Sequence, residues 1–420
     1  MKRIQSPSGQ TGGALCFYIF GAMIQKSAIT RPIWILSIIS LFTDLASEML
    51  YPVMPVYLQS IGFSILLIGI LEGAAEATAG LSKGYFGELS DKSGRRVPFI
   101  RLGYTLSALS KPLLAFWANV LWVFSMRTTD RFGKGLRTAA RDAMLSDEAT
   151  PETKGRVFGF HRAMDTFGAF IGPASALAFL HFFPERYRTL FIAAFIPGII
   201  AVALTFLLKE KPHFVSKQHQ RITFLSFVRY WRKSPAAFRK LTAGLLLFAL
   251  FNSSDVFLLL KVKEAGCSDT AVIGVYIFYN LIYAVAAYPL GRLGDRIGFK
   301  TVFVAGLFLF AVAYGGMAFT SDIYFLPALF FIYGIYAAST EGIAKAWITN
   351  IVSKDETATA IGTYTAFQSI CAMVASMLAG WLWWKAGSNA TFTLSAGMAL
   401  VAAIYFLLAK TLPWREMNKQ

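Results

Sequence analysis

The sequence predicts an all-α polytopic membrane protein, with twelve transmembrane helices in two pseudo-symmetric six-helix bundles. Three observations predict it. Of 420 residues 56% are hydrophobic and 15% charged, with a mean hydropathy of +0.54, which would leave large apolar areas on any water-soluble domain. Charged and Gly/Pro-rich breaks divide the chain into twelve runs, each near the roughly 20 residues with which a helix crosses a bilayer. One charged stretch, Gly87 to Arg96, returns as Gly291 to Lys300, its aspartates 204 positions apart (295 − 91).

The twelve spans fall near 33–58, 65–86, 97–117, 119–141, 157–181, 189–208, 241–261, 271–290, 301–319, 324–346, 359–382 and 389–409. Net charge is +17, but it is sorted rather than spread. With the N-terminus inside, the cytoplasmic stretches hold 28 Lys and Arg, and the external loops hold Arg186, Arg188, Lys261, Lys263 and Lys385. That asymmetry predicts a cytoplasmic (inner) membrane protein with both termini in the cytoplasm, and sets aside a nucleic-acid partner. The expected units are a cytoplasmic segment 1–30, bundles 31–208 and 241–410, a basic linker 209–240 and a tail 411–420. Cys16, Cys267 and Cys371 have no metal-like spacing, and no disulfide or metal site is expected.

Ahead of the first span, the apolar run Ala14 to Ile24 is too short to cross. It fits a signal-peptide core, an interfacial helix or sequence upstream of a start at Met23; the lack of a small-residue cleavage site favours the last two. Span 1 then carries Asp44 and Glu48, and span 2 carries Glu72 and Glu76; a spacing of four puts each pair on one helical face. Carboxylates at that depth are costly unless they face a wet cavity or cations. Span 3 brings Arg101, an anchor that can snorkel, and the deeper Lys111, expected to partner an acid.

Span 4 is the most charged: Arg127, Asp130, Arg131, Lys134, Arg137, Arg141 and Asp142. Arg127 and Arg131 share a face at the depth of Asp44 and Glu48, so pairing across helices is expected. Span 5 holds Gly159, Gly168 and Gly172-Pro173, with His161 and Asp165 on one face. After span 6 the linker interleaves nine Lys and Arg with aromatics between Phe224 and Trp231, as either an amphipathic helix on the inner leaflet or a solvated loop would. The second half keeps Asp255 and Glu341 as membrane acids, and otherwise offers Asn252, Tyr279, Asn280, Tyr336, Tyr364 and Gln368 as substrate contacts beside Lys111.

The repeated stretch reads G-x-L-x-D-x-x-G followed by a basic residue, at Gly87, Asp91, Gly94 with Arg95 and Arg96, and at Gly291, Asp295, Gly298 with Arg296 and Lys300. Its glycines are expected to turn the chain, and its aspartates to accept from amides at a neighbouring helix N-terminus. The pattern resembles the loop between helices 2 and 3 of the major facilitator superfamily of transporters. Arg131 to Ala139 is similar to that superfamily's helix 4 motif, with Lys134 where glutamine is usual. Gly159, Gly168 and Gly172-Pro173 resemble the helix 5 motif of its proton-coupled antiporters, with Ala176-Leu177 in place of the closing glycine pair.

The resemblance implies two bundles around a central cavity, alternating access, and loops at Asp91 and Asp295 that close the cytoplasmic side. No nucleotide-binding loop is present, so no cofactor is expected and the proton gradient is the expected energy source. The leading expectation is a proton-coupled exporter of a small organic solute, expected to be a monomer in the bilayer. The rival is a proton symporter or facilitator importing a small anionic metabolite. A non-transporting sensor ranks behind both. An enzyme is not expected, since His161, His181, His213 and His219 form no triad or metal cluster.

Overall fold

A computed structural model describes residues 28–210, 226–320 and 322–409, apart from 52, 55, 56, 59 and 60. The run 14–24, Cys16, His213, His219 and the tail lie outside them. The described elements are helices. α1 (Arg31–Glu48) starts with a proline in its first turn, where the missing amide costs nothing. α2 (Ile65–Ser93) is capped by Ser64, whose Oγ accepts from Leu67 N at 3.2 Å, and ends at left-handed Gly94. α3 (Val97–Phe116), α4 (Val120–Asp147), α5 (Lys154–Phe182) and α6 (Tyr187–Thr205) complete the first bundle.

The second bundle opens with α7, which comes in two pieces, Ala236–Ala249 and Val256–Glu264. α8 (Asp269–Ile297), α9 (Phe299–Phe319) and α10 (Leu326–Ile351) follow, then a run Thr357–Leu408 that Gly387 (φ 84°) breaks into α11 and α12. By length and composition alone, six described helices can cross a membrane: α5, α6, α8, α9, α10 and the α11–α12 run. The remaining spans carry the membrane charges of α1 to α4 or the interruption in α7.

The bundles meet along α5 with α8 and α2 with α11. Both seams close to backbone contact. A Cβ on Gly291 would strike the Gly155 carbonyl, and one on Gly87 the Ala358 carbonyl. This corrects the expectation for the first glycine of each signature: Gly87 and Gly291 lie inside α2 and α8 and serve close approach. The turning is done by Gly94 and Gly298, both at positive φ.

Two further expectations change. Span 1 is not one helix to residue 58, because turns at Met49 to Tyr51 interrupt it, and span 7 is open between Leu250 and Asp255. The interruptions are repeat-related, since Glu48 and Asn252 are 204 apart (252 − 48), as are Tyr51 and Asp255 (255 − 51). In the described part of the linker Ser226–Lys233 is helical, and its Phe227, Tyr230 and Trp231 meet rings of the second bundle. Phe227 is 2% exposed, seated in the groove that Gly84 leaves on α2 and 5.2 Å ring to ring from Phe367 of α11.

Candidate functional site

Between the segment that follows α1 and helices α2, α4, α7 and α11, away from the signature loops, lies a cavity of about 1100 Å³. Its walls are mostly apolar and include Met54, Met373 and Met377; Glu76, Arg127 and Arg131 supply its charge. The open segment of α7 contributes Asn252, Ser253 and Ser254. Helical breaks at matching places in the two halves free backbone and side-chain groups at the edge of such a cavity.

A smaller polar pocket adjoins it and shares Tyr51, Arg127 and Arg131. Asp44 and Glu48 of α1 face Lys111 of α3 and Asp130, Lys134 and Arg137 of α4 there. Lys111 Nζ stands 3.5 Å from Asp130 Oδ1 and donates to the Ser107 carbonyl at 2.9 Å. Glu48 also reaches the other bundle, receiving the Tyr276 hydroxyl at 2.8 Å. The antiporter-like glycines explain how α5 comes so near. Gly168 packs on the Leu41 backbone, and Gly172 on Leu45 and Glu48. Ser40 Oγ and Asp165 Oδ1 are bonded at the same contact.

Towards the signature loops the charges form a network that crosses between bundles. Arg162 bonds Asp165 at 2.7 Å and pairs with Glu341 of α10; Asp142 pairs with Arg141 at 2.9 Å and with Lys345 of α10 at 2.7 Å. His161 touches Ser37 at 3.5 Å. At the end of the seam each signature aspartate caps a helix of the opposite bundle. Asp91 accepts from Thr359 N at 2.6 Å, Thr359 Oγ1 at 2.7 Å and Ala358 N at 3.3 Å, at the start of α11. Asp295 accepts from Gly155 N at 2.6 Å and Arg156 N at 2.9 Å, at the start of α5. Such N-termini favour an anion through their free amides and the helix dipole.

Arg96 holds the first corner, with Asp91 at 3.1 Å and Asp147 at 2.8 Å. Asp91 lies beyond the membrane-spanning part of α2. Burial pushes its carboxyl up to about 6, against the opposing pull of Arg96 and the α11 amides. Arg95 and Arg296 are exposed and take no part in the closure.

The structure thus gathers Asp44, Glu48, Lys111, Arg127, Asp130 and Arg131 around one pocket, and places Glu76 and Asn252 on the large cavity. Asp165 and Glu341 belong to the network below it. Asp255 is held by Tyr279 and Tyr333, and Tyr336 receives Asn252 Nδ2 at 3.0 Å. Of the expected substrate contacts, Tyr279, Asn280, Tyr336, Tyr364 and Gln368 do not line the large cavity; Asn280 donates to the Tyr276 carbonyl and Tyr364 is buried in packing. The side chain of Glu72 is not among those described. Sequence reasoning missed Lys83 of α2, seven residues after Glu76 on the same face, and the role of Arg162. The available signal was that both are cations within membrane-length runs.

The sequence profile described as Major Facilitator Superfamily matches residues 36–279 and 262–419. An uncharacterized MFS-type transporter of Methanocaldococcus jannaschii is 31% identical over 90% of this chain and 95% of its own. The multidrug resistance protein MdtG of Salmonella paratyphi A is 24% identical over 86% of this chain and 91% of its own. A Lactococcus lactis homologue of the multi-drug resistance efflux pump PmrA is 22% identical over 82% and 87%. Among solved structures, the human organic anion transporter MFSD10 superposes with a TM-score of 0.75 at 17% identity, over 90% of this chain and 99% of its own. FucP in its outward conformation gives 0.70 at 15%, over 91% and 99%. On the matched residues, the archaeal relative and the shared fold, the chain belongs to the Major Facilitator Superfamily and is a multi-pass membrane transporter.

Proposed function

We propose that this transporter is a proton-coupled exporter of a small organic solute, working in the cytoplasmic membrane with both termini inside. The observation that carries the reading is the pairing of spaces: a polar pocket holding Asp44 and Glu48 opens beside an apolar cavity through shared Arg127 and Arg131. A proton taken up at the carboxylates changes the charge that Arg127, Arg131 and Lys134 experience, so solute and proton compete through common neighbours. With the signature-loop side cytoplasmic, the contacts of Asp91 and Asp295 hold the inner side shut and the cavity serves outward release. The descriptions of MdtG and the PmrA homologue as multidrug resistance proteins favour export.

Everted membrane vesicles, energised to be acid inside and carrying a pH-sensitive dye, test it. A panel of cationic, neutral and anionic compounds is added, and the control is Asp44→Asn with Glu48→Gln. A compound that discharges the gradient with the wild type and not with the double variant supports antiport. The second reading, movement of a small anion, is favoured by Arg127 and Arg131 on the cavity wall. Counterflow of a labelled anion in both proteins, with no discharge by any compound, would select it.

A further inference from the structure

Three acids of the first bundle are matched by cations: Asp130 by Lys111, Asp142 by Arg141 and Lys345, Asp165 by Arg162. Asp255 is different. It stands half-buried at the C-terminal edge of the open segment of α7, and among the described residues no cation pairs with it. Its carboxylate is held instead by two neutral hydroxyls, Tyr279 at 2.5 Å on Oδ2 and Tyr333 at 2.6 Å on Oδ1. The two rings lie 5.5 Å apart, and Tyr276 stacks edge-on to Tyr279 at 5.4 Å. The residues on either side of Asp255, Ser254 and Val256, both line the large cavity.

At the N-terminal end of Val256–Glu264 the helix dipole favours this carboxylate and two neutral donors satisfy it, but among the described residues no full positive charge stands beside it. The two hydroxyls fix the carboxylate oxygens in place, and a positive centre is the partner the group lacks. We infer that the open segment of α7 is a binding site for the positive centre of an organic cation, with Asp255 as counter-charge, its oxygens held by Tyr279 and Tyr333. The apolar body would lie in the cavity against Met54, Met373 and Met377, whose flexible thioethers adapt to varied shapes. Arg127 and Arg131, on the opposite α4 side, repel a positive centre and confine it to the α7 side. The inference rests on the cavity being the solute path, and it names the solute's charge and where it sits.

The test needs no gradient, so its failure is separate from a failure of proton coupling. Purified full-length protein in lipid nanodiscs is titrated with tetraphenylphosphonium and with tetraphenylborate, ions of matched shape and opposite charge. Wild type should bind the phosphonium, and Asp255→Asn should weaken that binding by about tenfold or more while leaving borate binding unchanged or stronger. Asp255→Glu, which keeps the charge, should retain phosphonium binding within a few-fold of wild type, guarding against a misfolded variant. Unchanged phosphonium binding in Asp255→Asn overturns the inference. So does equal loss of both ions that Asp255→Glu fails to reverse. Wild type that ignores the phosphonium, yet takes up a proton that Asp255→Asn does not, also overturns it and gives the site to the proton.

Discussion

At the scale of residues, pairing between buried charges decides more than their number. Lys111 and Asp130 illustrate it, since the lysine is 3% exposed and each group's charge is offset by the other. Removing one partner strands a charge in a low-dielectric setting, at about 3–5 kcal/mol, whereas removing both can be nearly neutral. Lys111→Met should therefore lower the thermal midpoint in detergent well below that of the double variant Lys111→Met with Asp130→Leu. A double variant no more stable than the single would show that the two do not act as a pair. Glycine contacts allow an equally local forecast. Gly291→Val puts side-chain atoms where the Gly155 carbonyl lies, so the α5–α8 seam cannot close. A thiol introduced at Lys154, a buried position beside the same seam, should be labelled by a maleimide at least several-fold faster in that background than with Gly291 intact.

Between elements, the linker helix and the broken helices matter most. Phe227 spans Gly84 of α2 and Phe367 of α11, so its burial depends on the two bundles being together at that end. Phe227→Ala removes a contact of the closed form only, and a large-to-small change at a buried aromatic costs about 3–5 kcal/mol. Spin labels at Lys92 and Lys354, on opposite sides of the seam, should show a longer mean distance in this variant. An unchanged distribution would mean that the helix rides on the seam without holding it.

The twelve-span plan was legible because apolar runs and the 204-residue repeat are properties of the chain itself. Asp91 and Asp295 stood out for the same reason, each with its repeat partner. The interruption at Asn252 to Asp255 was not legible: four short polar residues inside a run of span length look like one span, and only packing shows that they unwind it. The pairing of Arg162 with Glu341 was hidden too, because partners on different helices depend on rotations that one helix's periodicity does not contain.

For the whole molecule, closure is set by two clasps related by the internal repeat, and proton concentration acts on at least one. The Asp91 carboxyl is raised to about 6 in the closed form, against an ordinary value of 3.8. A raised value means that closing binds a proton. The contribution is complete below the ordinary value and is lost as pH rises through 6. Acidification from pH 7 to 5 should thus shift the Lys92 to Lys354 distance towards the closed value, and Asp91→Asn should flatten that response. A wild-type distance that is constant across the range would remove Asp91 from the pH response.

Two-point fastening has a further consequence for how the molecule leaks. Once Asp91 has engaged the start of α11, Asp295 faces the start of α5 at a high effective concentration, because both clasps join the same two bodies. The second contact then follows almost without entropic cost. Half-fastened molecules are rare, and a solute finds few moments when that end stands ajar.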